Sequence, residues 1–175
     1  LYGINNINHF MQENNNGKEI RRGIQRYKVG DPILFNDLAD SFFAKNKEQV
    51  PIIHNNMKGR IVDFRLLEAG KVTERIQFDI EIDKPLMKLE DKDLDFEVIG
   101  VSEKGNSIIR FEVYKNKSTD EDDDCVSKNM VPFQIAYAVS IHKAQGLEYD
   151  SVKIIITDDI DELLSLIHIS EPTRH

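Results

Sequence analysis

A single cysteine, Cys125, stands in 175 residues. One thiol excludes an intrachain disulfide framework and any zinc site built from several cysteines, and it suits a reducing compartment. Apolar runs are short, and none approaches the ~20 residues that a membrane-crossing helix requires. The opening stretch, LYGINNINHF, has neither the basic nor the apolar region of a signal peptide. A soluble cytoplasmic protein with no membrane partner is therefore expected. Basic charge is also scarce: 23 Lys and Arg against 31 Asp and Glu give a net charge of -8, so no bulk positive field advertises nucleic acid. The deficit is uneven. Residues 1–60 carry 9 basic and 6 acidic groups, whereas residues 61–163 carry 13 and 24. A polyanion would meet the N-terminal third or a local pocket.

What is present is enough for a core, since 40% of the residues are hydrophobic. Ile4, Ile7, Phe10 and Met11 recur at helical spacing, which predicts a helix over 3–13 ended by Asn14-Asn15-Asn16-Gly17. Lys18 to Lys28 reads as a basic connection. Val29-Gly30-Asp31-Pro32 is a turn into a buried strand, Ile33-Leu34-Phe35, closed by Asn36-Asp37. Asn55 to Gly59 is a second turn, with Arg60 to Phe64 a strand behind it. Further strands are expected over 72–82, 96–101 and 108–114. In the first of these, Ile76, Phe78, Ile80 and Ile82 alternate with Gln77, Asp79 and Glu81, so one face is buried and the other wet. Gly105-Asn106 suits a hairpin turn. Ser118 to Asp124, STDEDDD, is too charged to pack and lacks the spaced ligands and glycine of an EF-hand loop, so it reads as a solvated, mobile loop. Residues 29–117 thus have the texture of a small all-β module inserted in an α/β domain.

The stretch with most to say about chemistry is Ala136 to Ile156, AYAVSIHKAQGLEYDSVKIII. Polar donors, a glycine and a carboxylate stand between two apolar runs, both expected as buried strands. Gln134 to Val139 would place Ser140 and His142 at a strand's end, where open α/β sheets hold ligands. A short helix or turn follows, whose N–H groups, with Ser140 and Lys143, suit phosphate oxygens. Gly146 permits close backbone approach or a positive φ. Gln145 and Glu148 offer an amide and an acceptor. Each residue has a plainer reading: Ser140 as a helix cap, His142 and Lys143 as solvated side chains, Gly146 as the end of a turn.

In this order and spacing, Ser140-Ile-His142-Lys143-Ala-Gln145-Gly146-Leu-Glu148 resembles motif V of superfamily 1 helicases, in the form found in RecD-like and UvrD-like C-terminal domains. Three weaker matches follow the family's order: Tyr2-Gly3-Ile4 with Asn8 and Gln12, Val29-Gly30-Asp31, and Asn55 to Ile61. The resemblance implies an α/β fold, namely an incomplete second RecA-like P-loop-NTPase-type domain carrying an inserted SH3-like β-barrel. Its parts would be 1–28 and 131–163 in the RecA-like domain, 29–117 in the insert and 118–130 as the acidic loop. Residues 164–175, LSLIHISEPTRH, resemble a translated sequencing adapter. The family further implies that Ser140, His142 and Lys143 contact single-stranded DNA, and that Gln145, Gly146 and Glu148 approach ATP and couple the two sites.

The chain departs from the family in several respects. It holds no G-x-x-x-x-G-K-[ST] loop, no paired acidic magnesium motif and no arginine-bearing motif VI after Ile156, and Asn56-Met57-Lys58 replaces an acidic turn. ATP and Mg2+ would be bound mainly by an N-terminal RecA-like domain of the same protein, and the chain alone would not hydrolyse ATP. Two functions fit: part of an ATP-dependent DNA helicase or translocase, or a non-catalytic nucleic-acid-binding module on the same scaffold.

Overall fold

The computed structural model describes residues 3–39, 43, 53–69, 73–86, 96–115, 129–149 and 151–154, for 68, 69 and 73 the backbone alone. The expected acidic loop over Ser118–Asp124 and the adapter-like tail lie outside these residues. The chain divides into two compact units, residues 1–145 and 146–175.

In the first unit α1 (Ile4–Glu13) leads to a hairpin of β1 (Glu19–Arg22) and β2 (Gln25–Lys28). There follow β3 (Pro32–Phe35), β4 (Lys58–Ala69), β5 (Thr73–Ile82), β6 (Glu97–Val101), β7 (Ser107–Tyr114) and β8 (Phe133–Ile135), then the single turn of α2 (Ile141–Ala144). Strands β3 to β8 make one sheet in the order β6-β7-β5-β4-β3-β8, and every pairing in it is antiparallel. The fold is thus mixed α/β, mostly antiparallel sheet with few helices.

Period-two patterning builds this sheet. Along β7, Ser107, Ile109, Phe111 and Val113 are buried while Ile108, Arg110, Glu112 and Tyr114 are half-buried. Along β5, Ile76, Phe78, Ile80 and Ile82 face the same core. On the opposite face Asp79 of β5 is buried by Arg110 of β7, which donates twice to its carboxylate at 2.7 Å. Phe78 is the hub of the core, edge-on to Tyr27 and Phe133 with ring centroids 5.4 and 5.3 Å away. Each such fully buried aromatic contributes roughly 1.5–3 kcal/mol. Tyr27 thereby fastens the β1–β2 hairpin to the main sheet.

The structure corrects three expectations. The basic connection Lys18 to Lys28 is a hairpin, with Ile20 paired to Tyr27 and Gly23 at φ +59 in its turn. Strand β8 covers 133–135 and not 134–139, and it pairs antiparallel with β3, so it is not the parallel strand of an open α/β sheet. The ladder runs out where its partner β3 begins, with the Ala136 N–H still donating to the Pro32 carbonyl at 2.9 Å. Beyond it Asn8 of α1 takes both backbone polar groups of Ala138, donating to its carbonyl at 2.9 Å and accepting from its N–H at 2.7 Å. In the second unit, residues 151–154 form no strand, and Val152 and Ile154 are exposed. A strand needs a neighbour to take its N–H and C=O groups, and the described residues of that unit provide none.

Candidate functional site

Asp31 organises the end of the first unit that carries Ser140. Its carboxylate is fully buried and accepts four hydrogen bonds. Oδ2 takes the Gln12 amide at 2.5 Å and the Lys28 N–H at 2.8 Å. Oδ1 takes the Asn15 amide at 2.7 Å and the Tyr137 hydroxyl at 2.9 Å. Burial, and then the bond to Asp31, push the Tyr137 phenol up to about 12. Gly30, at φ +91, makes the turn that aims Asp31 inward. Lys28 does not pair with this carboxylate; its ammonium bonds the carbonyls of Gln12 and Asn15, just at and beyond the C-terminal end of α1, where a cation is favoured. Asn8, Gln12, Gly30 and Asp31, marked in the sequence as family-like, therefore act as struts. They hold α1, the hairpin and the segment 136–140 together.

These struts frame a cleft of about 870 Å3. Helix α1 contributes Asn5, Asn6 and His9 to its wall, the hairpin contributes Ile24, Gln25 and Arg26, and the returning segment contributes Gln134, Ser140 and Lys143. Tyr27 and Phe133, both buried, form the base. Among the described residues no Asp or Glu lines the cleft, although the chain has 31 of them. Its two cations are lightly engaged. Lys143 donates to the neutral Gln134 Oε1 at 3.0 Å. Arg26 donates to the His9 ring, and Glu13, which is outside the wall, lies 4.0 Å from Arg26 and 3.6 Å from His9. Cations and a hydroxyl suit phosphate oxygens, while side-chain amides offer both donors and acceptors to the edges of bases.

The expected contact residues separate in the structure. Ser140 and Lys143 share the cleft. Ser140 is also the N-cap of α2, its Oγ accepting from the Lys143 N–H at 3.4 Å, so the capping reading and the cleft reading hold together. His142 and Gln145 are exposed and lie outside the cleft wall. Gly146 adopts φ +80, and a methyl group there would meet nothing within 4 Å, so its backbone conformation, not crowding, calls for glycine. Glu148, also in the second unit, is exposed. Residues missed by sequence reasoning are Arg26, Asn5, Asn6 and His9; the signal for the last three was the asparagine-rich first turn, INNINH. Among the described residues no group of three or more His, Cys, Asp or Glu is placed to hold a metal ion. No helix among them is long and apolar enough to cross a membrane. No protein-family model matches the chain, and no curated protein or solved structure matches it significantly.

Proposed function

We propose that this chain is the single-strand-gripping part of a superfamily 1, RecD-like ATP-dependent DNA helicase or translocase, drawn from its second RecA-like domain and an SH3-like insert. The observation that carries the reading is the cleft without acids, closed on one side by Ser140 and Lys143. In a chain of net charge -8, a wall of amides, hydroxyl and cations from three separate segments is a surface suited to a polyanion with polar bases. Ser140 and Lys143 hold strand phosphates, Arg26 and His9 meet the next ones, and the amides of Asn5, Asn6 and Gln134 satisfy bases or sugars.

ATP is the substrate of the whole motor. The sequence holds no phosphate loop. The chain's own part is therefore to hold the strand and to pass the nucleotide's influence through Gln145, Gly146 and Glu148. A nucleotide shifts grip only through contacts that differ between states, and a short turn joining the two ligands supplies them. An upstream phosphate loop in the same reading frame decides for the motor over a purely binding module.

The test is anisotropy of a labelled oligothymidylate titrated with the chain across a range of salt. Each phosphate neutralised adds about 0.7 to the salt slope for single strands. Lys143→Ala and Arg26→Ala should each weaken binding severalfold and reduce the slope by about that amount. Absence of binding, or variants indistinguishable from the parent chain, would refute the proposal.

A further inference from the structure

Ile24 occupies the tip of the β1–β2 hairpin, fully exposed. The turn is short: Arg22 pairs with Gln25, leaving Gly23 and Ile24 as its two central residues. Gly23 takes the positive φ that such a turn demands at its first position. Turn positions of this kind favour polar residues or glycine, and an aliphatic side chain held out in water gains nothing from folding. Yet this tip is held firmly. Behind it Arg22 donates to the carbonyls of Tyr114 and Asn129, and Tyr27 is locked edge-on between Phe78 and Phe133.

We infer that Ile24 packs against a nucleobase of a single strand lying in the cleft, an inference that rests on the function proposed above. Ile24 lies on the cleft wall beside Gln25 and Arg26. Arg26 stands on the same wall, while Arg21 is held by Glu19 at 2.7 Å and Arg22 by the carbonyls behind the tip. A docking surface for a folded protein would need a contiguous apolar patch of several hundred Å2, whereas the exposed aliphatic groups lining this cleft are Ile24 at the hairpin tip and the partly exposed Ile4 of α1. An apolar tip beside a cation matches a nucleic-acid strand, where a phosphate meets Arg26 and a flat base covers Ile24. Aliphatic side chains are known to pack against and between bases in this way.

The chain has no tryptophan, so Ile24→Trp places its only indole at the tip. Oligothymidylate should quench that emission on binding. An abasic oligonucleotide with the same number of phosphates should not. In parallel, Ile24→Ser should reduce the preference for oligothymidylate over the abasic strand by about threefold to tenfold, with abasic binding unchanged. Because Ile24 is fully exposed, neither substitution disturbs packing, and an unchanged urea midpoint verifies this. An unquenched indole while anisotropy reports bound oligothymidylate, or an unaltered preference in Ile24→Ser, overturns the assignment and leaves the cleft's phosphate grip intact. A blue shift growing with protein concentration without DNA would instead assign Ile24 to a contact between copies. If the parent chain binds neither strand, the proposed function falls and the assignment with it.

Discussion

Replacing Asp31 by asparagine keeps the shape of the side chain and removes one acceptor oxygen. Whichever oxygen is replaced, the new amide meets a donor that cannot turn away. At the Oδ2 position it faces the Lys28 backbone N–H and the Gln12 amide, and that amide is already committed to the Arg26 carbonyl at 3.0 Å. At the Oδ1 position the Tyr137 hydroxyl can rotate to accept. Asn15 cannot, because its Oδ1 accepts from Gly17 N–H and its amide also donates to the Val29 carbonyl. Hydrogen bonds to a charged group contribute about 1.5–3 kcal/mol each, but four neighbouring bonds are not additive. Relief from burying a carboxylate returns several kcal/mol. The net cost expected for Asp31→Asn is about 3 kcal/mol, a large share of the roughly 5–15 kcal/mol that holds a domain together. With a urea dependence of about 2 kcal/mol per molar, the unfolding midpoint should fall by about 1.5 M. Asp31→Ala, which leaves all four donors without their acceptor, should cost at least as much. A change below about 0.5 kcal/mol in Asp31→Asn, the scale of an ordinary surface substitution, would refute the account of Asp31 as an acceptor hub.

Three further expectations concern the core and its margins. Burial pushes the Tyr27 phenol up to about 12. With an unfolded value near 10, its contribution is complete below about pH 10 and is lost between about 10 and 12, amounting to about 3 kcal/mol. Urea midpoints measured over that window should fall less steeply in Tyr27→Phe, and an identical fall would count against the reading. A methyl group on Gly17 would sit 2.1 Å from the Val29 carbonyl oxygen, so Gly17→Ala should cost about 2–4 kcal/mol, as overpacking against rigid backbone does. Gly100→Ala, with nothing within 4 Å, should be nearly silent in the same urea experiment.

Strands β5 and β7 were legible because alternation along Ile76 to Ile82 and Ser107 to Tyr114 is a local signal set by burial on one face; β3 showed as an apolar triplet, and of β4 only 60–64 was visible in a strand that runs Lys58–Ala69. The β1–β2 hairpin was harder to see. Its pairing rests on Ile20 opposite Tyr27, and the arginines at 21, 22 and 26 hide that alternation behind what looks like a charged linker. The length of β8 was not legible at all, since it is set by where its partner β3 begins, a hundred positions away in the chain. For the site, Ser140 and Lys143 were marked by their residue types and spacing. The cleft itself was not, because its wall is assembled from 3–12, 24–27 and 133–143, and only folding brings these together. His142 had the same textual claim as Lys143, and one turn of helix was enough to place it elsewhere.

The bonds between Asn8 and Ala138 join positions 130 apart, and that between Asp31 and Tyr137 spans 106. Such closures delay folding, because the entropy of ordering the intervening chain is spent before the contact rewards it. During synthesis the helix α1 and the hairpin leave the ribosome before the residues after 131, so Asp31 lacks the Tyr137 hydroxyl until those residues follow. The cleft is thus among the last features of the first unit to form, and a nascent chain acquires it only when the Ser140 segment arrives to close the wall.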